Sequence, residues 1–372
     1  MTGEPARVLV VGGGVGGLEA ALALRALGRR HLRVELLSAE PQFTYRAWSV
    51  GTPFGHGAAV EVDLGHVAAD VGFTLLEGRL EQVDAERHEV RTQEGVLAYD
   101  HLLLALGAKP VSIVDGAFTF LGPANAAELG ALLAEDRLPA GARVVFVTSP
   151  SAVWPLPAYE LALLTADRGG PAVMLVTGER TPLECFGRQA SAEVAALLRD
   201  RGVEIFTSTV PASFDGEQLL VPMAGSLPAD VVVALPGLVG HPIAGIPHDA
   251  SGFVPVDEFC RVQGLDDVFA VGDMTARPLK QGGLAAQQAD VAAAVVASDA
   301  GSPVGVEAYA PVLRAILLTG REPRYLRHPP LPELRPQSPD EAPWWPPDKI
   351  VGRHLAPYLA THGELVVTPA HA

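Results

Sequence analysis

Sulfur is scarce in this chain. Cys185 and Cys260 are the only cysteines among 372 residues, and no C-x-x-C pair occurs. A disulfide-stapled scaffold is therefore excluded, and a cytoplasmic setting is expected. Basic charge is also short. Lys and Arg number 27 against 43 Asp and Glu, a formal net charge of −16. Such a chain repels phosphate backbones and anionic bilayers, so nucleic acid is not an expected partner. No apolar run is long enough to span a bilayer. No transmembrane segment is expected, which leaves peripheral membrane contact open. The first residues lack the basic and apolar blocks of a secretion signal. No His/Cys spacing suits zinc, so no metal is expected, and G-x-S-x-G and P-loop motifs are absent. His56 and His66 stand isolated in a loop region. Hydrophobic residues make up 48 % and charged residues 19 %, which describes a globular chain with one to three domains and a large core.

What the chain has is glycine at a useful spacing. Val8 to Val11 is a short apolar run of the kind a buried parallel strand needs. Gly12, Gly14 and Gly17 follow in G-x-G-x-x-G order, with Val15 and Gly16 between them. The first glycine allows a tight turn, the second lets a pyrophosphate approach the backbone, and the third lets a helix pack close. Leu18 to Leu27, rich in Ala and Leu, predicts that helix. Its N-terminus aims N–H groups and the positive dipole end at the phosphates. A second strand, Arg33 to Leu37, should end in an acidic residue that holds the ribose hydroxyls. Ser38 stands there instead and can both donate and accept. Glu40, two residues on, reads equally as a ribose ligand or a solvated surface charge. Far along the chain comes Leu265-Asp-Asp-Val-Phe-Ala-Val-Gly-Asp273, a strand ending in Gly272 and Asp273. Together the two segments make FAD the expected cofactor.

Residues 1–115 read as strand, helix, strand and a turn-rich stretch. Gly78 to Val90 and Val96 to Leu106 then form a small antiparallel layer returning to a strand. Leu80 opens this layer and is a candidate cofactor contact. Ala105, Leu106 and Gly107 end the return, where a backbone with small side chains can pass near a ligand. Residues 116–238 alternate again. Strands are expected at Arg143–Thr148, Ala172–Val176, Val203–Phe206 and Asp230–Leu235, and helices at Ala158–Ala166 and Ala190–Arg201. This is the pattern of a second nucleotide-binding fold inserted in the first. Residues 239–300 return, with strands at Phe253–Asp257 and Val268–Val271 and a helix at Gly283–Ala297. Residues 301–372 form a C-terminal region with one helix expected over Leu313–Thr319. Pro343-Trp-Trp-Pro-Pro347 cannot be helical throughout. Its Trp344–Trp345 pair reads either as packing or as a membrane- or quinone-facing patch. The expected fold class is α/β: two Rossmann-like dinucleotide-binding domains plus a Pro-rich C-terminal tail region.

With the Gly12–Gly17 loop, Ala105-x-Gly107 and Gly272-Asp273 in place, the chain resembles FAD-dependent flavoproteins of the pyridine nucleotide-disulfide oxidoreductase type. It looks closest to sulfide:quinone oxidoreductases and more distantly similar to type II NADH dehydrogenases, over roughly residues 7–320. The resemblance implies that Asp273 holds a ribityl hydroxyl, in keeping with a carboxylate's strength as an acceptor. Pro278-Leu-Lys-Gln-Gly-Gly283 resembles the Lys-bearing loop at the flavin pyrimidine edge. That implies a role for Lys280, with the backbone of Gln281 and Gly282, in stabilising the reduced flavin and raising its potential. The plain alternative is a surface lysine before a helix. Phe43-Thr-Tyr-Arg-Ala47 resembles the segment lying along the flavin, which makes Tyr45 or Arg46 candidate contacts.

The departures from those families are informative. In the second unit the nicotinamide loop reads Ser149-Pro-Ser-Ala-Val-Trp-Pro-Leu-Pro157, without a glycine. Its prolines remove N–H donors that a pyrophosphate needs, so an NAD(P)H site is not expected there. Pro157-Ala-Tyr-Glu160 resembles an element of sulfide:quinone oxidoreductases that follows a redox cysteine. Trp154 takes the place of that cysteine, and no cysteine follows Cys260. Sulfide oxidation by a cysteine pair needs a thiolate and a partner thiol, and neither stands at a matching position. Cys185 and Cys260 read as structural. Glu160 reads either as a first-turn glutamate or as a proton carrier buried beside the flavin. The expected protein is an FAD-dependent oxidoreductase passing electrons from an unknown donor to a quinone-like or other acceptor, with Glu160 and Lys280 as catalytic candidates. A flavin-binding partner or sensor without turnover, an NAD(P)H-dependent FAD reductase and an apo scaffold are the alternatives.

Overall fold

Val8–Val11 is buried throughout because the strand Ala6–Val11 runs through the middle of a parallel sheet. The computed structural model describes residues 4–134, 136–139, 141–148, 154–222, 225–328 and 343–362. The first sheet is ordered Val268–Ala270, His101–Leu104, Ala6–Val11, Leu32–Ser38, Thr74–Glu77, all parallel. One edge strand thus comes from late in the chain, after a complete second sheet. That second sheet is ordered Phe118–Thr119, Val231–Ala234, Arg143–Thr148, Ala172–Thr177, Glu204–Phe206, also all parallel. Purely parallel sheets need covering on both faces.

The helices that position the site are α1 (Val15–Gly28), α2 (Leu64–Val71), α3 (Ala126–Leu132), α4 (Leu156–Arg168), α5 (Arg188–Asp200), α6 (Gly282–Asp299) and α7 (Leu355–Thr361). α1 packs on α6. Ala20, Ala21 and Ala23 of α1 and Ala289, Ala292, Ala293 and Ala297 of α6 are all fully buried in one core cluster. Small side chains let the two helices approach closely and propagate helix well. α4 buries Leu156, Leu161, Leu163 and Tyr159 over the second sheet. The expected antiparallel layer is present as Leu80–Asp84, Glu89–Thr92 and Gly95–Ala98.

Two strand and helix expectations fail, and His66, read as a loop residue, lies on α2. Leu313–Thr319 is not a helix; Leu313–Leu317 is a strand paired antiparallel with Arg324–His328. A short apolar run does not distinguish the two periods. The turn decides: Gly320 takes φ +76° and Thr319 Oγ1 donates to Glu322 O at 2.9 Å, closing a hairpin. Phe253–Asp257 is not a full strand either. Val254 and Val256 make only isolated bridges, to Thr275 and Val262.

Candidate functional site

The glycines of the first loop do different work. Gly12 adopts φ +113°, and its N–H donates to Leu37 O at 2.8 Å. A Cβ on Gly12 would lie 2.4 Å from Ala105 O, and one on Gly17 would lie 1.8 Å from Gly12 O. Gly14 caps α1 from an extended conformation, and a Cβ there would meet nothing within 4 Å. Gly107 is equally open. The loop thus has a tight turn, a close helix contact and an open floor, which is the division of labour the spacing predicts. Gly16 faces inward, toward Val271. Gly13, outside the motif, leaves no room for a side chain against Ser38 and Leu64.

The late segment meets this loop. Leu106 N–H donates to Met274 Sδ at 3.3 Å, and Gly272 N–H donates to Gln288 Oε1 at 2.9 Å. Among the described residues none donates a hydrogen bond to the Asp273 carboxylate. Burial raises its pKa, and the charges of Lys280 and Arg46 oppose that rise. The structure therefore brings Arg46 and Lys280 each within electrostatic reach of Asp273. Lys280 is not a surface lysine. It is buried, its amine donates to Thr275 O, and it lies 3.9 Å from the centre of the Phe253 ring. Burial lowers its pKa to about 8, with Asp273 and Asp249 opposing. Gln281 caps α6 by accepting from Leu284 N–H at 2.9 Å, and Gly282 leaves space that Ile350 fills. Ser38 Oγ donates to Glu40 O at 2.7 Å. Glu40 is exposed and paired with Arg79 at 3.0 Å. Leu80 packs half-buried at the antiparallel layer. Arg46 is exposed, whereas Tyr45 is buried and turned toward the C-terminal segment.

Glu160 sits in the second turn of α4, 1 % exposed. It does not cap its own helix. Its Oε1 accepts from Lys349 Nζ at 2.5 Å and from Leu318 N–H at 3.0 Å. Lys349 is 6 % exposed and lies 5.2 Å from the centre of the Trp48 ring. Burial raises the Glu160 pKa and lowers that of Lys349, and their mutual attraction opposes both shifts. The pair adjoins the α6 N-terminus: Gln281 Nε2 lies 3.5 Å from Lys349 O. Sequence motifs missed Lys349, because it stands in a Pro-rich stretch with no local pattern. The usable signal was scarcity. The chain has three lysines, Lys109, Lys280 and Lys349, and the last two are buried, although lysine is almost never fully buried without a partner. Trp344 packs edge-on against Tyr325, while Trp345 is 69 % exposed.

In the second unit the polar groups after the second strand bond to one another. Glu179 follows the strand Ala172–Thr177. Its Oε2 accepts from Tyr159 OH at 2.6 Å and Thr177 Oγ1 at 3.0 Å, and its Oε1 from Glu184 N–H at 3.2 Å. Trp154 meets Phe186 edge-on at 6.1 Å. Residues 149–153 of the expected loop lie outside the described residues. Cys185 is half-buried and Cys260 buried; both are free, and burial pushes both thiols up to about 12. Neither is a ready thiolate. Among the described residues no His, Cys, Asp and Glu cluster could hold a metal, and no helix is long and apolar enough to cross a membrane.

Residues 6–301 match the pyridine nucleotide-disulphide oxidoreductase family. The chain belongs to that family. It is a flavin-dependent oxidoreductase and its cofactor is FAD, which sets aside both a sensor without turnover and an apo scaffold. The geometry suits this cofactor: an open floor at Gly14 and Gly107, and in Asp273 a carboxylate with no donor among the described residues. This flavoprotein is 25 % identical over 302 residues to the ferredoxin–NAD(+) reductase component of a biphenyl dioxygenase system from Paraburkholderia xenovorans, covering 74 % of this chain and 69 % of that protein. It is 26 % identical over 294 residues to an NADH dehydrogenase-like protein of Mycobacterium tuberculosis, covering 73 % of each. The structure of sulfide:quinone oxidoreductase from Aquifex aeolicus superimposes with a TM-score of 0.77 at 23 % identity, over 87 % of this chain and 83 % of that one. At that identity the likeness is one of fold.

Proposed function

We propose that this flavoprotein takes electrons from a reductant other than NAD(P)H and delivers them to a quinone-like acceptor, with the buried Glu160–Lys349 pair managing the proton. The observation that carries this reading is that pair, held beside the N-terminus of α6. Reducing a quinone adds electrons and protons together, so the acceptor needs a proton source inside a dry site. Moving one proton from Lys349 to Glu160 turns an ion pair into a neutral pair without leaving a lone buried charge. Lending that proton to an acceptor oxygen leaves Glu160 as a carboxylate beside a neutral Lys349 amine, and a proton returned from solvent restores the pair.

In this reading Gly12, Gly14, Val15, Gly16 and Gly17 hold the pyrophosphate, and Ser38, Glu40 and Leu80 meet the adenosine end. Ala105, Leu106, Gly107, Gly272 and Asp273 line the ribityl chain and ring. Arg46, Lys280, Gln281 and Gly282 face the pyrimidine edge. The bound FAD supplies reversible acceptance and release of electrons. The division into 1–115, 116–238, 239–300 and 301–372 belongs to the same reading. The internal bonding of Glu179 supports a donor other than NAD(P)H, because the carboxylate that would receive a ribose already has three donors.

Stopped-flow mixing of the holoenzyme with NADH, NADPH, sulfide and dithiothreitol tests the donor. Dithionite-reduced enzyme mixed with decylubiquinone tests the acceptor. We expect no bleaching by NADH or NADPH and rapid reoxidation by the quinone, slowed about 100-fold in Lys349→Met. Fast bleaching by NADH together with indifference to quinone overturns the reading. That outcome would favour the activity carried in the name of the Paraburkholderia relative.

A further inference from the structure

Lys349 reaches Glu160 from a segment with no regular secondary structure, so its aim depends on what grips the neighbouring backbone. The grip is concentrated on one side chain. Asp348 Oδ1 accepts from Tyr45 OH at 2.5 Å, Trp48 Nε1 at 3.0 Å and Lys349 N–H at 2.6 Å. Tyr45 OH in turn accepts from Ile350 N–H at 3.2 Å. The same tyrosine and carboxylate therefore hold the backbone on both sides of Lys349. Trp344 Nε1 adds a bond to Asp348 O at 3.1 Å. Asp348 Oδ2 is buried with no partner among the described residues. A buried carboxylate oxygen without a donor is costly, so stability alone does not account for an acid here.

We propose that Asp348 is the positioning residue for the Glu160–Lys349 pair: one oxygen, gripped by Tyr45 and Trp48, sets the direction of the Lys349 side chain, and its negative charge favours the protonated amine. The proposal rests on the reading of that pair as the proton-handling element. The charged groups facing Lys349 are Glu160 from α4 and Asp348 from its own segment. Tyr45 stands behind Asp348 on the strand Gln42–Tyr45, Trp48 supplies an aromatic wall, and α6 contributes the neutral Gln281. The sign is fixed. Burial lowers the Lys349 pKa, while Glu160 and then Asp348 raise it. Removing the charge at 348 removes one raising influence, so Lys349 loses its proton at lower pH.

Asp348→Asn keeps an oxygen for Tyr45 and Trp48 and deletes the charge. Asp348→Ala deletes both. Trp48→Phe removes one donor and spares the acid, which keeps the test open should Asp348→Ala fail to fold. All three are measured as FAD-loaded enzyme. Amide exchange over residues 343–354 reports the grip. The pH titration of the Lys349 Cε resonance, simple to assign with three lysines, reports the charge without any turnover. We expect exchange about tenfold faster in Asp348→Ala, a few-fold faster in Trp48→Phe and unchanged in Asp348→Asn. We expect the Lys349 titration in Asp348→Asn to move down by about one pH unit. The alkaline limb of decylubiquinone reduction should move with it. Unaltered exchange in both Asp348→Ala and Trp48→Phe overturns the grip, and an unmoved titration in Asp348→Asn overturns the charge effect. Wild-type enzyme inert toward decylubiquinone sinks the acceptor reading instead, and leaves exchange and titration to judge Asp348.

Discussion

The two parallel sheets share one order over four strands and differ in the fifth, which comes late in the chain in the first sheet and early in the second. In the first unit the strand Ala6–Val11 runs into a turn whose floor at Gly14 is bare. In the second the corresponding strand Arg143–Thr148 ends at Thr148, which shares a hydrogen bond with Thr177 at 3.1 Å in the network of Tyr159 and Glu179. One ending keeps backbone N–H groups available for a ligand. The other has turned its polar groups on one another. Fold alone does not count cofactors.

The largest blow to this contrast comes from Gly17→Ala. A Cβ 1.8 Å from a carbonyl oxygen must push α1 off its sheet. We expect about 3 kcal/mol or more of lost stability and nearly colourless protein, read by thermal melts and flavin absorbance. Gly14→Ala is the control. It should melt within a few degrees of wild type yet bind FAD about tenfold more weakly, because only the ligand-facing side is filled. Next comes Lys280. With its amine titrating near about 8, the flavin midpoint potential should fall more steeply with pH once the supporting charge is lost above that value. Lys280→Met should remove the break and hold the potential at the lower branch, as potentiometry across pH 6–10 would register. The stability linkage has its own sign. The folded pKa lies below the unfolded value of about 10.4, so the charged amine weakens the fold progressively as pH falls from about 10 to about 8, with no further change below. The smallest effect belongs to the second unit. Tyr159→Phe removes one of three donors to Glu179 and should cost about 1 kcal/mol. It should still not confer bleaching by NADH, measured in the stopped-flow assay, since Glu179 keeps Thr177 and Glu184 N–H. If NADH reduced that variant quickly, the hydroxyl of Tyr159 would be the gate and the contrast between the two endings would narrow to one atom.

Local chemistry is what the residue pattern made readable. The Gly12–Gly17 turn, the returning strand before Ala105 and the strand ahead of Gly272 depend on neighbours within a few positions. Each was placed from spacing and apolarity alone. Ser38 and Glu40 fell where a ribose contact belongs, but their mutual bond and the Arg79 pair are side-chain choices that spacing does not encode. The run Leu313–Thr319 suggests a helix because its period is too brief to decide, and the deciding Gly320 lies beyond its end. Lys349 and Asp348 were invisible for a different reason. Their partners Glu160 and Tyr45 are 189 and 303 positions away, and a Pro-rich context hides the buried end of a long side chain. Trp345 illustrates the converse, since half of a conspicuous aromatic pair turns out to face solvent.

Glu19 lies just beyond the glycine loop, on α1, and is fully buried. Its two oxygens receive the N–H groups of His354 and Leu355, each at 2.7 Å, and a Cβ on Gly352 would lie 2.3 Å from it. α1, which starts at the glycine turn, is thereby fastened to the backbone of residues 354–355. Trimming the chain ahead of His354 would strand a carboxylate inside that helix bundle, a penalty of several kcal/mol. A protease nick near the carboxyl terminus would then be felt as flavin loss at the amino-terminal turn.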